Sequence, residues 1–274
     1  MTTNSIANHY GGEGMVERVL SALSDEGMDI ANLDWKNLTS FDQFHTRGLP
    51  ATREQARLAA PAAGANVVDL GCGVGGPARC LVAEYGCHVT GIDLTPEYIK
   101  LAELLGAGCQ MSDQLLFKVA DALKTPFKDE MFDLAWSQNV SMNIEDKHKF
   151  YGETERILKP GGRLITSDIV AGSCTEIQWP LPWARETSIS FVAAEEDMRD
   201  AMESVGFRII EWRDTTEEAV SVFQQPNQKQ RRGKLGVGLI AGPDFPERSA
   251  NLANGLAAGV FKSVLILAEK VPQS

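Results

Sequence analysis

From Asn66 onward the chain alternates short apolar, β-branched runs with stretches of helical period. Asn66–Leu70, His88–Asp93, Leu115–Val119, Phe132–Ser137 and Arg163–Asp168 are runs bounded by Gly, Pro, Asp or Asn, which predicts strands. Between them, Pro77–Tyr85, Pro96–Leu105 and Lys147–Leu158 place apolar residues three or four apart and predict helices. Strands that alternate with such helices make βαβ units, so the pattern requires a mostly parallel sheet covered on both faces. A sheet of that kind collects its ligand at the carboxyl ends of its strands.

Two flanks enclose this core. Before it, Gly14–Leu23 carries Met15, Val16, Val19, Leu20 and Leu23 on one helical face, and the run Phe41-Asp-Gln-Phe-His-Thr-Arg-Gly follows a polar stretch. After it, Gly172–Ala193 is irregular and rich in Trp and Pro, Glu195–Val205 reads as a helix, and Phe207–Asp214 and Val264–Glu269 read as two closing strands. The long connection between those strands holds Gln224–Lys234 and Leu252–Gly259, and a connection of that length inside a compact domain is commonly a lid or binding element. Lys229, Arg231, Arg232 and Lys234 in it read as a solvated loop.

Charge narrows the partners. Against 26 Lys and Arg stand 37 Asp and Glu, a formal charge of -11 over 274 residues, so the surface repels phosphate backbones and anionic lipid. Nucleic acid and membrane are therefore not expected as partners. The N-terminus has neither a basic stretch nor an apolar core of a targeting signal, and a cytoplasmic location is expected. The five cysteines form no CxxC pair, and the four histidines show no HxxxH or HExxH spacing. Buried thiols and no metal are the expectation.

The chemistry concentrates in Val67-Val-Asp-Leu-Gly-Cys-Gly-Val-Gly-Gly-Pro, at the end of the first predicted strand. Glycines there let the backbone turn tightly and approach a ligand, while the next helix aims its first amides at it. Gly71, Gly73 and Gly76 also satisfy a dinucleotide fingerprint, with Asp93 placed to hold a ribose. Asp69 decides between the two, because its charge points where a pyrophosphate would lie. The site asks instead for a nucleoside with two ribose hydroxyls and a cationic, unphosphorylated tail, which describes S-adenosylmethionine.

The sequence resembles the class I S-adenosylmethionine-dependent methyltransferases. Asp69-Leu-Gly-Cys-Gly is similar to their first motif, Gly91-Ile-Asp-Leu-Thr to their second-strand acid and Val119-Ala-Asp-Ala to their adenine turn. Phe132-Asp-Leu-Ala-Trp-Ser-Gln-Asn resembles their fourth strand, and Ile157-Leu-Lys-Pro-Gly-Gly-Arg-Leu the turn into their fifth. Trp136-Ser-Gln-Asn and Gly75-Gly-Pro-Ala-Arg are most similar to the small-molecule branch, with its sarcosine/dimethylglycine, phosphoethanolamine and ubiquinone-type enzymes. The resemblance implies a seven-stranded, mostly parallel Rossmann-like sheet with helices on both faces and a helical lid. It implies a lid segment over residues 1–59 and a methyltransferase domain over 60–274, with acceptor-lid insertions in 171–260. It also implies that Asp69, Gly71, Cys72 and Gly73 meet the methionine portion of the donor, Asp93 and Leu94 the ribose, and Asp121 and Ala122 the adenine. Ser137 and Gln138 would lie beside the sulfonium. S-adenosylhomocysteine would be the product.

On the acceptor side, Phe44-His-Thr-Arg-Gly is similar to a His-x-x-Gly element that closes over the donor, which proposes His45 as a site residue. Asn8-His-Tyr-Gly is similar to a segment that caps the acceptor pocket, which proposes Tyr10. Where phosphoethanolamine and dimethylglycine enzymes carry a histidine after the fourth strand, Asn143 stands here, and an amide cannot act as a base. Either the acceptor needs no base or another group such as His45 supplies it. Trp179 and Trp183 are expected to cage an ammonium, stack on a planar ring, or simply pack in the lid. The acceptor expected is a small molecule, a small amine ahead of a quinol, phenol or natural product. A nicotinamide-dependent oxidoreductase and a non-catalytic cofactor-binding module are the competing readings, and the first lacks a YxxxK set.

Overall fold

The computed structural model describes residues 9–10, 14–224 and 235–271. The five core strands are β1 (Asn66–Leu70), β2 (His88–Asp93), β3 (Leu115–Val119), β4 (Phe132–Gln138) and β5 (Leu158–Ala171), followed by β6 (Phe207–Asp214) and β7 (Phe261–Lys270). They form one seven-stranded sheet in the order β3-β2-β1-β4-β5-β7-β6. Strands β1 to β5 pair in parallel, and β7 runs antiparallel to both of its neighbours. The reversal of strand order between β1 and β4 opens a crevice at their carboxyl ends.

Among the described residues, the helices of nine residues or more are α1 (Met15–Asp25), α2 (Leu49–Ala59), α3 (Gly76–Tyr85), α4 (Pro96–Gly108), α5 (Lys147–Ile157), α6 (Glu195–Ser204), α7 (Thr216–Gln224) and α8 (Phe245–Ala257). Central strand β1 is buried on both faces at Val67, Val68 and Leu70, which is why it reads as a continuous apolar run. On one face Val67, Leu134 and Trp136 pack with Ala56, Leu81 and Ala102 from α2, α3 and α4. On the other, Val68, Leu70 and Ala135 pack with Phe150, Tyr151 and Met202 from α5 and α6.

Strand β5 begins earlier than its pattern predicts. Pro160 pushes the residue before it out of helical geometry, so α5 stops at Ile157 and Leu158 pairs directly with Phe132. A register shift between Phe132 and Leu134 absorbs the Lys-Pro-Gly-Gly segment that follows.

Helix α1 lies across α4, where Met15, Val19 and Leu23 share a core with Phe41, Tyr98, Leu101 and Leu105. The chain between α1 and α2 is anchored by an ion pair of 2.9 Å between Asp42 and Arg79 of α3, both side chains fully buried. A β-carbon on Gly76, at the start of α3, would lie 2.2 Å from the Asp42 carbonyl oxygen, so only glycine lets the two segments meet. Among the described residues, no helix is long and apolar enough to cross a membrane. The proposed loop cations Lys229, Arg231, Arg232 and Lys234 lie outside the described residues, as do Asn8 and Gly11 beside Tyr10.

Candidate functional site

The glycine turn after β1 is built by the backbone of β2. The amides of Gly71 and Cys72 both donate to the Ile92 carbonyl, at 2.8 and 2.9 Å, which swings the chain back over the sheet. Gly71 and Gly73 take φ of 74° and 52°, a region that side chains other than glycine rarely adopt. At Gly73 a β-carbon would meet nothing within 4 Å. The backbone there faces the crevice with no side chain in the way.

Three carboxyl groups share the cavity that this turn borders. Asp93 closes it by accepting from the Gly73 amide at 3.0 Å and the Thr95 amide at 2.9 Å. Burial pushes its carboxyl up, and these hydrogen bonds oppose the push. Asp69 is 2 % exposed and its Oδ2 has no hydrogen-bond partner. Burial first, then the charge of Asp93, raises its carboxyl to about 8. Asp121, just past β3, accepts from the Leu123 amide at 2.8 Å, which fixes its turn.

All three line one cavity of about 2110 Å³, together with Gly71, Cys72, Gly73, Leu94, Ala122 and Gln138. A buried carboxyl with one unpartnered oxygen beside an open glycine backbone suits a cationic amino-acid tail, which would draw it into its ionised form. The chemistry of this set of residues is compatible with S-adenosylmethionine, whose tail is a cationic amino acid.

Ser137 departs from the expected set. It is fully buried, its Oγ has no partner, and it stands behind the cavity wall, where its carbonyl accepts from Gln55 Nε2 at 3.0 Å. Side chains alternate along β4, so Ser137 and Gln138 cannot both face the crevice. Gln138 does, with its Oε1 held by Trp136 Nε1 at 3.1 Å.

Tyr10, His45 and Asn143 also line the cavity. The Tyr10 hydroxyl donates to Asn143 Oδ1 at 2.7 Å, and burial pushes the phenol well up from its ordinary value. Asn143 Nδ2 donates to the carbonyls of Trp183 and Ile189, so the amide is used as a clamp. His45 Nε2 lies 3.2 Å from the Gly48 carbonyl and 3.0 Å from Thr52 Oγ1. Burial lowers this imidazole to about 4, and it is neutral at physiological pH. Trp183 lines the cavity with its ring edge against Phe261 and its Nε1 donating to Ser190. Trp179 does not line the cavity and packs, partly buried, against an apolar cluster that includes Leu252, Leu256 and Phe261, so the two indoles form no cage.

With this geometry in view, residues 68–166 match the methyltransferase domain family. That match runs from β1 into β5, the part of the sheet whose carboxyl ends carry the glycine turn and the three carboxyl groups. The chain is 44 % identical over 99 residues to the tocopherol O-methyltransferase of Arabidopsis thaliana, a match that spans 36 % of this chain and 28 % of that protein's length. It is 24 % identical over 248 residues to an O-methyltransferase of Aspergillus sclerotiorum, covering 88 % of this chain and 92 % of the other. In fold, it superposes with a TM-score of 0.70 on the geranyl diphosphate C-methyltransferase of Streptomyces coelicolor A3(2), at 19 % identity and 98 % coverage of both chains.

Several wall residues of the cavity escaped the sequence reading. Thr95 and Tyr98 lie at the start of α4, four residues or fewer past Leu94, and their place at a strand's carboxyl end was the available signal. Leu239 and Phe245 come from the long segment before β7, whose apolar residues have no period that singles them out.

Proposed function

We propose that the protein transfers a methyl group from S-adenosylmethionine to a small-molecule acceptor. The observation that carries this reading is the convergence of Asp69, Asp93 and Asp121 on one cavity that continues into a lobe walled by the two flanks. When bound, S-adenosylmethionine supplies an electrophilic methyl on a positively charged sulfur, which departs as the neutral thioether of S-adenosylhomocysteine.

The chain's own residues bind and orient. Asp69 pairs with the donor ammonium, Asp93 accepts from ribose hydroxyls, Asp121 accepts from the adenine amino group, and Gly71 and Gly73 admit close backbone contact. Tyr10 and Asn143 hold the wall facing the reacting atoms, and the flanks exclude water, which favours a displacement that consumes charge. Asn143 is saturated and His45 is neutral with its Nε2 engaged, so this wall positions the acceptor without a base that titrates near neutrality. The acceptor nucleophile attacks as a neutral lone pair or after losing its proton to solvent.

Residues 60–274 act as the catalytic domain in this reading, and 1–59 as part of the wall. The free cysteines suit a reducing compartment such as the cytoplasm. Methyl-labelled S-adenosylmethionine, incubated with the protein and a panel of amines, quinols and phenols, tests the proposal. Label transfer with stoichiometric S-adenosylhomocysteine is expected, and its failure together with absent donor binding would contradict it.

A further inference from the structure

Among the described residues that line the cavity, the carboxyl groups without an ion-pair partner are those of Asp69, Asp93 and Asp121. Away from Asp69, Asp93 and Asp121, the charged residues that line it are already neutralised. Asp42 is paired with Arg79 at 2.9 Å, Arg47 with Glu54, and Arg53 with Glu84 through contacts of 3.0 and 3.1 Å. The rest of the lining, taken together as the acceptor lobe, includes the large apolar side chains Phe44, Met142, Trp183, Phe223, Leu239 and Phe245. No Lys or Glu lines the cavity among the described residues.

Its size is the second observation. A pocket for one drug-sized ligand measures roughly 300–1,000 Å³, and about 2110 Å³ is open here, enough for a donor and a large acceptor together. Two polar groups in the wall stand without partners. Tyr98 is 3 % exposed with a free hydroxyl, and its ring centre lies 6.2 Å from that of Tyr10. Gln138 has its Oε1 taken by Trp136, which leaves its buried Nε2 unpaired. Such a wall solvates apolar surface and one or two hydrogen-bonding groups. An ammonium, carboxylate or phosphate in the same lobe would give up its water and gain no unpaired counter-charge from the described residues of that lobe.

We infer that the acceptor is a bulky, uncharged, mostly apolar molecule bearing one or two hydroxyl or carbonyl groups, of the phenol or quinol kind, and is neither an amino acid nor a phosphorylated amine. This rests on the methyltransferase reading above. It reverses the order expected from sequence, which set a small amine first. The lobe's lining comes from the flanks, where the sequence shows no motif.

The test is a set of calorimetric titrations on the full chain saturated with S-adenosylhomocysteine. The probes are para-nonylphenol, dimethylglycine and phosphomonomethylethanolamine. The phenol is expected to bind at least about tenfold more tightly than either charged probe. Leu239→Glu, which sets a carboxylate in the lobe, is expected to weaken the phenol by about tenfold or more, and Tyr98→Phe by about threefold. Binding of S-adenosylhomocysteine reports that each variant is folded, and Ala253→Glu repeats the test from α8 if Leu239→Glu fails that control. Tighter binding of a charged probe, or phenol binding indifferent to both glutamates, would overturn the inference and leave the donor site standing. Absence of S-adenosylhomocysteine binding to the unaltered chain would remove the methyltransferase reading and this inference with it.

Discussion

The Tyr10 hydroxyl donates to Asn143 Oδ1 at 2.7 Å, while Asn143 Nδ2 donates to the carbonyls of Trp183 and Ile189 at 2.9 and 3.0 Å. One buried amide thereby ties the N-terminal segment and the 181–189 segment to the turn that follows β4. Tyr10→Phe strands one acceptor and is expected to lower unfolding free energy by about 1–2 kcal/mol. Asn143→Ala strands two carbonyls and a phenol and is expected to cost about 2–4 kcal/mol. Urea unfolding measures both, and an Asn143→Ala protein as stable as the unaltered chain would contradict the clamp.

The Asp42–Arg79 pair has both side chains fully buried, so removing one partner leaves a charge with no water to receive it. Asp42→Ala is expected to destabilise by about 3–5 kcal/mol. Replacing both partners by apolar residues, as Asp42→Leu with Arg79→Met, is expected to cost less than the single change. Denaturant unfolding of the three proteins checks the order, and a single variant milder than the double would refute it.

Two glycines a few residues apart are expected to fail differently. In Gly76→Ala the new β-carbon meets the Asp42 carbonyl oxygen at 2.2 Å, so the segment before α2 is displaced and the melting temperature falls. In Gly73→Ala the β-carbon meets nothing within 4 Å, and the cost is backbone strain of about 1 kcal/mol at a φ of 52°. Its main effect is weaker donor binding, because the methyl group intrudes where the ligand approaches the chain. Thermal melts with and without S-adenosylhomocysteine separate the two, and equal ligand-induced stabilisation of Gly73→Ala and the unaltered chain would count against that placement.

Asp69 gives donor binding a pH dependence of definite sign. Its carboxyl is raised from an ordinary 3.8 to about 8, so the ligand-free protein carries it protonated at neutral pH. An ammonium beside it favours the carboxylate, so binding releases a proton and tightens as pH rises, by up to about tenfold per unit between about pH 5.5 and 7.5. Its effect on folding runs the other way. The native state holds this proton more tightly than the unfolded chain, so the contribution is full below the ordinary value and is lost as pH rises toward 8. Calorimetry in buffers of different ionisation enthalpy counts the proton, and a flat affinity across that range would exclude Asp69 from the ammonium site.

The core of this fold and the donor half of its site were legible because local pattern and tertiary role coincide there. The central strands β1 and β4 are buried at most positions, and the glycines around Gly73 must be glycine for the chain to turn. Helix α2 was missed because its buried face is Thr52, Gln55, Ala56 and Ala59, which carries no apolar period. Helices α7 and α8 were missed for lack of a motif in the lid. Ser137 was placed in the site by resemblance, while the strand's alternation turns it away and presents Gln138. The rest of the cavity's lining includes Tyr10, Phe44, Trp183, Leu239 and Phe245, residues distant in sequence whose meeting depends on tertiary packing alone.

The central claim is that Asp93 and its neighbours form a binding site for S-adenosylmethionine and its product. Titration calorimetry of S-adenosylhomocysteine against the unaltered protein and Asp93→Ala tests it most directly. The account predicts micromolar affinity for the unaltered chain and a loss of about 1.5–3 kcal/mol in the variant, the worth of charge-assisted hydrogen bonds to the ribose. Equal affinity in the two proteins, or no binding in either, would contradict it.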